Sequence, residues 1–332
     1  MKIAIVPRLA FILASAALVT LAQAQTMIKI DGSSTVFPPT DAVAESYQLA
    51  KKGAVKVTVG ISGTGGGFKK FCRGETDISN ASRPILKKEM DECAKNGIKY
   101  VELPVAFDAL TVVVHPKNKF LNKITVAELR KLWEPAAQGV ILTWNQVNPA
   151  WPNTKIKLYG PGTDSGTFDY FTEAVVGKVK ASRSDYTASE DDNVAVQGIA
   201  RDVNALGYFG YAYYVENSKK LKALAIAPQA DKLAVLPSVN AVMKGVYQPL
   251  ARPLFIYVNA KSEDKAEVKE FVEFYLSHAE KIVKEVKYIA LAGKDYEHAL
   301  KNFSARKTGT AFGGEAEVGV TISDLLHRNP KE

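Results

Sequence analysis

From residue 26 onward, short apolar runs of strand character alternate with amphipathic stretches of helical period. The spacing predicts strands at Thr26–Ile30, Val55–Ile61, Asp77–Ala81, Tyr100–Val105, Ala109–His115, Ile156–Tyr159, Ala205–Tyr211 and Pro253–Asn259. It predicts helices at Pro39–Lys51, Gly66–Arg73, Lys87–Asn96, Val126–Trp133, Gly166–Val176, Asp192–Arg201 and Lys265–Val286. Strand and helix alternating in this way imply an α/β architecture. Two apolar segments, Leu103–Val114 and Leu250–Val258, look alike and divide the chain. As extended crossings they make the middle of the chain one lobe and its two ends the other, a hinged clamp. The lobes are expected at 25–105 with 255–332, and at 106–254.

The N-terminal pattern is different. Lys2 and Arg8 precede an apolar stretch from Leu9 to Leu21, and Ala22-Gln23-Ala24 has the form of a cleavage site. Residues 1–24 are therefore expected to be a signal peptide, with a mature chain beginning near Gln25. The apolar stretch falls short of the ~20 residues that a spanning helix needs, and no Cys follows it to carry a lipid.

Length and composition refine this picture. A chain of 332 residues exceeds the ~250–300 at which a single core stops growing, which favours two domains. The formal net charge of +8 is spread along the chain instead of forming a basic stripe, which argues against a nucleic-acid surface while still drawing small anions. The two cysteines, Cys72 and Cys93, fall in one local unit. In an oxidising compartment they read as a disulfide closing a loop of about twenty residues, worth ~3 kcal/mol on the loop-entropy model. No His or Cys lies at metal-ligand spacing from them, and no metal or cofactor motif occurs elsewhere.

The candidate chemistry lies in three loops rich in glycine and hydroxyls, each ahead of a predicted helix: Gly32-Ser-Ser-Thr35, Ser62-Gly-Thr-Gly-Gly-Gly67 and Gly162-Thr-Asp-Ser-Gly-Thr167. Small hydroxyls and free backbone N–H groups at strand-to-helix turns form oxyanion sites at the carboxyl edge of an α/β sheet. Enzymatic readings are weak. Asp164-Ser165-Gly166 lacks the Gly-x-Ser-x-Gly elbow, and the glycine-rich loop lacks the Gly-Lys-Ser/Thr of a nucleotide-binding loop. The four histidines fall at a strand end or in polar stretches.

Four motifs in order, Asp31-Gly-Ser-Ser-Thr-Val-Phe-Pro38, Ser62-Gly-Thr-Gly-Gly-Gly-Phe68, Asp77-Ile-Ser-Asn-Ala-Ser-Arg-Pro-Ile85 and Gly162-Thr-Asp-Ser-Gly-Thr-Phe-Asp-Tyr-Phe171, resemble the periplasmic phosphate-binding proteins of ABC transporters, the PstS family. The likeness extends through Ala205-Leu-Gly-Tyr-Phe-Gly-Tyr-Ala-Tyr-Tyr214. It implies a two-lobed type II periplasmic-binding-protein fold, each lobe a mixed sheet flanked by helices, joined by two hinge strands. It also implies a monomeric receptor, not an enzyme, that holds dehydrated inorganic phosphate between its lobes and delivers it to a membrane permease. The alternatives are a receptor for sulfate or molybdate and a secreted adhesion protein on the same fold.

Carried over by position, Ser34 and Thr35 bind phosphate from the first loop, and Ser165, Gly166 and Thr167 bind it from the opposite lobe. Ser62 and Thr64 compete for the second-loop position. The chain departs from the family in two places: Ser82 stands where a carboxylate before the Pro is usual, and Pro161 where an arginine is. Arg83 is then either the missing cation or a structural ion pair. Phosphate carries a proton near neutral pH and sulfate does not, so a carboxylate facing the site favours phosphate. Asp164 is the first candidate, with a helix N-cap as its alternative reading, and Asp192 is a more distant one.

Overall fold

The computed structural model describes residues 26–315, 317–320, 325 and 328–331, so the expected signal peptide lies outside the described residues. The first half of the molecule is β1 (Thr26–Gly32), α1 (Phe37–Ala50), β2 (Val55–Val59), α2 (Gly63–Phe71), β3 (Ile78–Ala81) and α3 (Lys87–Lys95). β4 (Tyr100–Val114) leads out of it. β1 pairs in parallel with both β2 and β3, giving the spatial order β2-β1-β3. The two crossovers from β1 to β2 and from β2 to β3 run in opposite directions. Right-handed connections therefore put α1 and α2 on opposite faces and open a crevice at the carboxyl edge, where the loops after β1 and β2 meet.

The second half contains β5 (Lys123–Thr125), α4 (Val126–Trp133), α5 (Trp144–Val147), β6 (Lys157–Gly160), α6 (Gly166–Phe171), β7 (Thr187–Ala188) and α7 (Asp192–Ile199). It continues through β8 (Ala205–Gly210), α8 (Tyr211–Glu216), β9 (Lys222–Ala223), β10 (Ala225–Ala227) and α9 (Val239–Met243). Here β6 is the central parallel strand, in the order β8-β6-β7, and β5 pairs with β10 as a separate ribbon. The chain then returns to the first half through β11 (Ala251–Asn259), α10 (Ala266–Glu285) and α11 (Gly293–Ser304). α10 packs on α1, where the Tyr47 ring meets Phe271 and Phe274 edge-on, and α11 packs on α10.

The segments expected as separate strands at Tyr100–Val105 and Ala109–His115 form one strand, β4. Its stretch from Tyr100 to Ala109 pairs antiparallel with β11, and its stretch from Leu110 to Val114 pairs with β8. β4 thus crosses between the half-sheets at Ala109 and Leu110, beside the start of β11. Both look-alike segments are buried along their length apart from the partly exposed Pro104. A contiguous apolar core runs through both halves, with a smaller cluster of Val113, Ala195, Val196, Ile199, Ala205, Phe209 and Leu221 under α7.

α8 was missed because Tyr211-Ala-Tyr-Tyr214 has strand composition; a carboxylate from β4 starts it as a helix, as described below. The Cys72–Cys93 disulfide is present and ties the end of α2 to α3. Among the described residues, no helix is long and apolar enough to cross a membrane, and no cluster of His, Cys, Asp and Glu suits a metal ion.

Candidate functional site

The carboxyl edges of the two half-sheets face each other, and three loops fill the space between them. The first leaves β1 at Gly32, whose backbone (φ 140) brings it so close to β3 that a Cβ would lie 2.2 Å from the Asn80 carbonyl. Only glycine fits there. The loop then buries Ser33, Ser34 and Thr35. Thr35 Oγ1 lies 3.0 Å from Thr167 Oγ1, a direct contact between the two halves.

The second loop decides between its two candidate hydroxyls. Ser62 turns away to donate to Asp31, which also accepts from Lys70 at 2.7 Å. Ser62 therefore does not face the cleft as expected. Thr64 is fully buried, with its Oγ1 3.1 Å from the Ser82 hydroxyl and accepting from the Ser82 N–H at 3.1 Å. Gly63 (φ 73) passes so near the opposite half that a Cβ would lie 2.0 Å from the Asp164 carbonyl, which in turn accepts from Gly65 N–H at 3.4 Å.

The third loop ends at Ser165, the N-cap of α6, whose hydroxyl accepts from Thr167 N–H at 3.1 Å. Gly166 presses on the opposite half so closely that a Cβ would lie 2.3 Å from Ser82 Oγ and 2.4 Å from Thr64 Oγ1. Thr35, Thr64, Ser82, Ser165, Gly166 and Thr167 thus form one buried constellation, with Ser34 beside Thr35.

Two sequence expectations are corrected. Asp164 neither faces this constellation nor caps the helix; its half-exposed carboxylate lies 3.7 Å from Lys69 at the rim, while the adjacent Ser165 takes the cap. Arg83 is buried but already fully engaged with carboxylates. Its Nη1 and Nη2 donate to Glu89 at 2.8 Å each, its Nε donates to Asp169 at 2.8 Å, and its Nη1 reaches the Pro84 carbonyl. Burial works against the Arg83 charge, and Glu89 followed by Asp169 outweighs it. Two carboxylates neutralise this arginine, so it is not the free cation.

The cation at the centre is Arg252 on β11, which sequence reasoning missed. Fully buried, it donates from Nη2 to Thr167 Oγ1 (2.7 Å), Asp108 Oδ2 (3.2 Å) and Thr35 Oγ1 (3.3 Å). Its Nη1 donates to the carbonyls of Gly166 (2.8 Å) and Ser82 (3.1 Å), and its Nε has no partner. Arg252 and Asp108 are directly opposed in the β4–β11 ladder, one residue from the crossing between half-sheets. Asp108 Oδ1 also accepts from Tyr211 N–H at 3.0 Å, placing a negative charge at the start of α8. The sequence did hold a signal: Asp108 and Arg252 are complementary charges inside the two look-alike apolar segments, where a lone charge is costly unless paired.

Asp192, the distant option, lies at the start of α7, with a buried Oδ2 that has no hydrogen-bond partner. Burial, and then the Asp108 charge, push it up to about 7, with Arg252 pulling the other way. It is thus electrostatically coupled to the Arg252–Asp108 pair.

Comparison with known proteins bears on the family and the fold. Residues 19–279 match a family model described as a PBP superfamily domain. The chain is 53% identical to Protein SphX of Synechococcus elongatus over 302 residues, covering 91% of this chain and 88% of that one. It is 39% identical to the phosphate-binding protein PstS of Staphylococcus saprophyticus, covering 81% and 82% respectively. Among solved structures, a possible phosphate-binding protein from Planctomyces limnophilus is similar at 48% identity and a TM-score of 0.65, covering 85% of this chain and 98% of that one.

Proposed function

The chain belongs to the periplasmic-binding-protein superfamily and, within it, to the PstS family of phosphate-binding proteins, and from that premise we propose that it captures inorganic phosphate between its two lobes as an exported receptor. The observation that carries this reading is the convergence of hydroxyl-bearing loops from both halves on one buried arginine, Arg252, at the crossing between them. An arginine with a single carboxylate partner and an open Nε keeps donor capacity that a second carboxylate would take, and its planar fork suits a tetrahedral oxyanion. Thr35, Thr64 and Ser82 from one lobe, and Ser165 and Thr167 from the other, supply hydroxyl donors, with Ser34 at the first loop. Gly166 keeps the lobes close enough for both sets to reach one anion.

Asp192 takes the role first expected of Asp164. Burial and the Asp108 charge push it up to about 7, so it is an ionised acceptor toward alkaline pH, and there a ligand that brings its own proton satisfies it better than sulfate does, whereas its protonated form donates to either anion. The lobes divide near residues 105/106 and 254/255. The β4–β11 ladder shifts register between Leu254 and Phe255, a few residues from the Asp108–Arg252 pair, so the hinge and the anion contact lie close together. Delivery follows when a membrane ABC permease reopens the clamp. Periplasmic location, a signal peptide cleaved near Gln25 and a monomeric state complete the reading.

Calorimetric titration of the mature, anion-free chain tests it, with phosphate, sulfate and molybdate each run separately. Tight one-to-one phosphate binding with sulfate excluded is the expected outcome. Preference for sulfate or molybdate would reassign the ligand, and no binding of any of the three would overturn the receptor reading.

A further inference from the structure

The Arg83–Glu89–Asp169 cluster lies outside the hydroxyl constellation and is not needed to contact an anion. Arg83 and Glu89 belong to the first half of the molecule, in the β3–α3 loop and in α3, whereas Asp169 belongs to α6 in the second. The pair Arg83–Asp169 therefore joins the two lobes, 2.8 Å apart with both side chains almost fully buried.

Each end of this bridge has a second partner within its own lobe. Arg83 is held by the two-point fork to Glu89, whose Oε2 also accepts from Leu86 N–H at the start of α3. α3 is in turn fastened to α2 by the Cys72–Cys93 disulfide, and the Phe68 ring of α2 lies 5.7 Å from the guanidinium. Only the Nε arm reaches across. Asp169 Oδ1 makes no hydrogen bond among the described residues, and Lys180 of its own lobe places its Nζ 3.7 Å from it. Glu173, also in this region, has an Oε2 with no hydrogen-bond partner among the described residues, and burial pushes its carboxyl above its ordinary value, with Arg83 pulling it down and Asp169 pushing it up.

Breaking a buried ion pair is costly mainly when it strands an unpaired charge. Here separation of the lobes strands neither group, because Arg83 keeps Glu89 and Asp169 keeps Lys180. The bridge adds a single charge-assisted hydrogen bond that exists only when the lobes are together. We propose that Arg83 and Asp169 are positioning residues that latch the closed form and so set anion affinity without touching the anion. The latch itself follows from the cross-lobe geometry; its effect on phosphate affinity rests on the receptor reading above.

The test uses the mature chain with Asp169→Asn, an isosteric change that leaves the Arg83–Glu89 fork in place, and independently Arg83→Lys. Phosphate association and dissociation rates are measured by stopped flow, together with solution scattering of the anion-free proteins. Because apparent affinity scales with the population of the competent form, phosphate dissociation is expected to accelerate about tenfold in Asp169→Asn with association little changed. The anion-free variant is also expected to have a larger radius of gyration than the wild type. Arg83→Lys is expected to behave the same way, and decides the matter should Asp169→Asn fail to fold. Unchanged dissociation and unchanged scattering in a folded variant would overturn the latch, as would a loss of melting temperature alone. If the wild type binds no phosphate, the receptor reading fails, while the scattering comparison still decides the latch.

Discussion

The molecule buries two arginines within its cleft, and they do opposite things. Arg83 stands in a motif that looks like a ligand loop, yet two carboxylates neutralise it. Arg252 stands in an apolar strand, where nothing announces a ligand, and has one carboxylate, two threonine hydroxyls and two carbonyls as partners. The first guanidinium is hydrogen-bonded to two carboxylates and the second to one. A buried cation can serve a ligand only if carboxylates leave some of its donors unclaimed, so the count of carboxylates around each arginine distinguishes a structural bridge from a candidate anion anchor.

Substitutions that weaken each arginine test that contrast most sharply. Arg252→Lys keeps the charge and loses the fork, and phosphate affinity is expected to fall about a hundredfold, equivalent to ~3 kcal/mol, in calorimetry. Arg83→Lys should cost affinity far less than this; equal losses would erase the distinction. Next in size, Ser165→Ala with Thr167→Ala removes two hydroxyls from the Arg252 side. At ~1–1.5 kcal/mol for each lost hydrogen bond, affinity should drop by tens of fold, and unchanged binding would remove that loop from the site.

Asp192 sharpens the comparison through pH. Its carboxyl is held at about 7 in the folded protein, against 3.8 as the ordinary value. Between those values the folded state binds the extra proton, so stability through this group falls as pH rises from about 4 through about 7. Asp192→Asn is expected to flatten that slope and raise the melting temperature at pH above 7, as differential scanning calorimetry would show. A slope of the same size in the variant would assign the effect to another group.

Removing the disulfide with Cys72→Ala and Cys93→Ala concerns the Arg83 side alone. Loss of ~3 kcal/mol of stability is expected, visible as several degrees of melting temperature, with phosphate affinity almost unmoved. A large affinity loss would mean that α2 depends on this tie to place Thr64. The smallest effect is expected at the rim, where Asp164→Asn breaks an exposed contact to Lys69 worth ~0–1 kcal/mol and should leave affinity within about twofold.

Several parts of the site were legible from local chemistry. Gly32, Thr35, Ser165, Gly166 and Thr167 lie where strand-to-helix loops of this composition must lie, because tight approaches and helix starts restrict which residues fit. The choice between Ser62 and Thr64 was not legible, since both are small hydroxyls in one loop and the decision depends on Asp31 reaching across from β1 to claim Ser62. α8 was hidden for a similar reason: Tyr211 to Tyr214 favour a strand locally, and Asp108, more than a hundred residues earlier, satisfies the first free N–H of a helix instead.

What the sequence determined by itself was the alternation of elements, the three hydroxyl loops and the disulfide pair, because each depends on the period, turn chemistry or spacing of neighbouring residues. What only the tertiary structure decided was charge. Arg83, Asp108, Asp169, Asp192 and Arg252 are scattered over more than half the chain, and each acquires its role from whichever carboxylate, hydroxyl or cation the fold sets within a few ångströms of it. Coulomb and hydrogen-bond energies depend on distance in space and on burial, and neither can be read from distance along the chain.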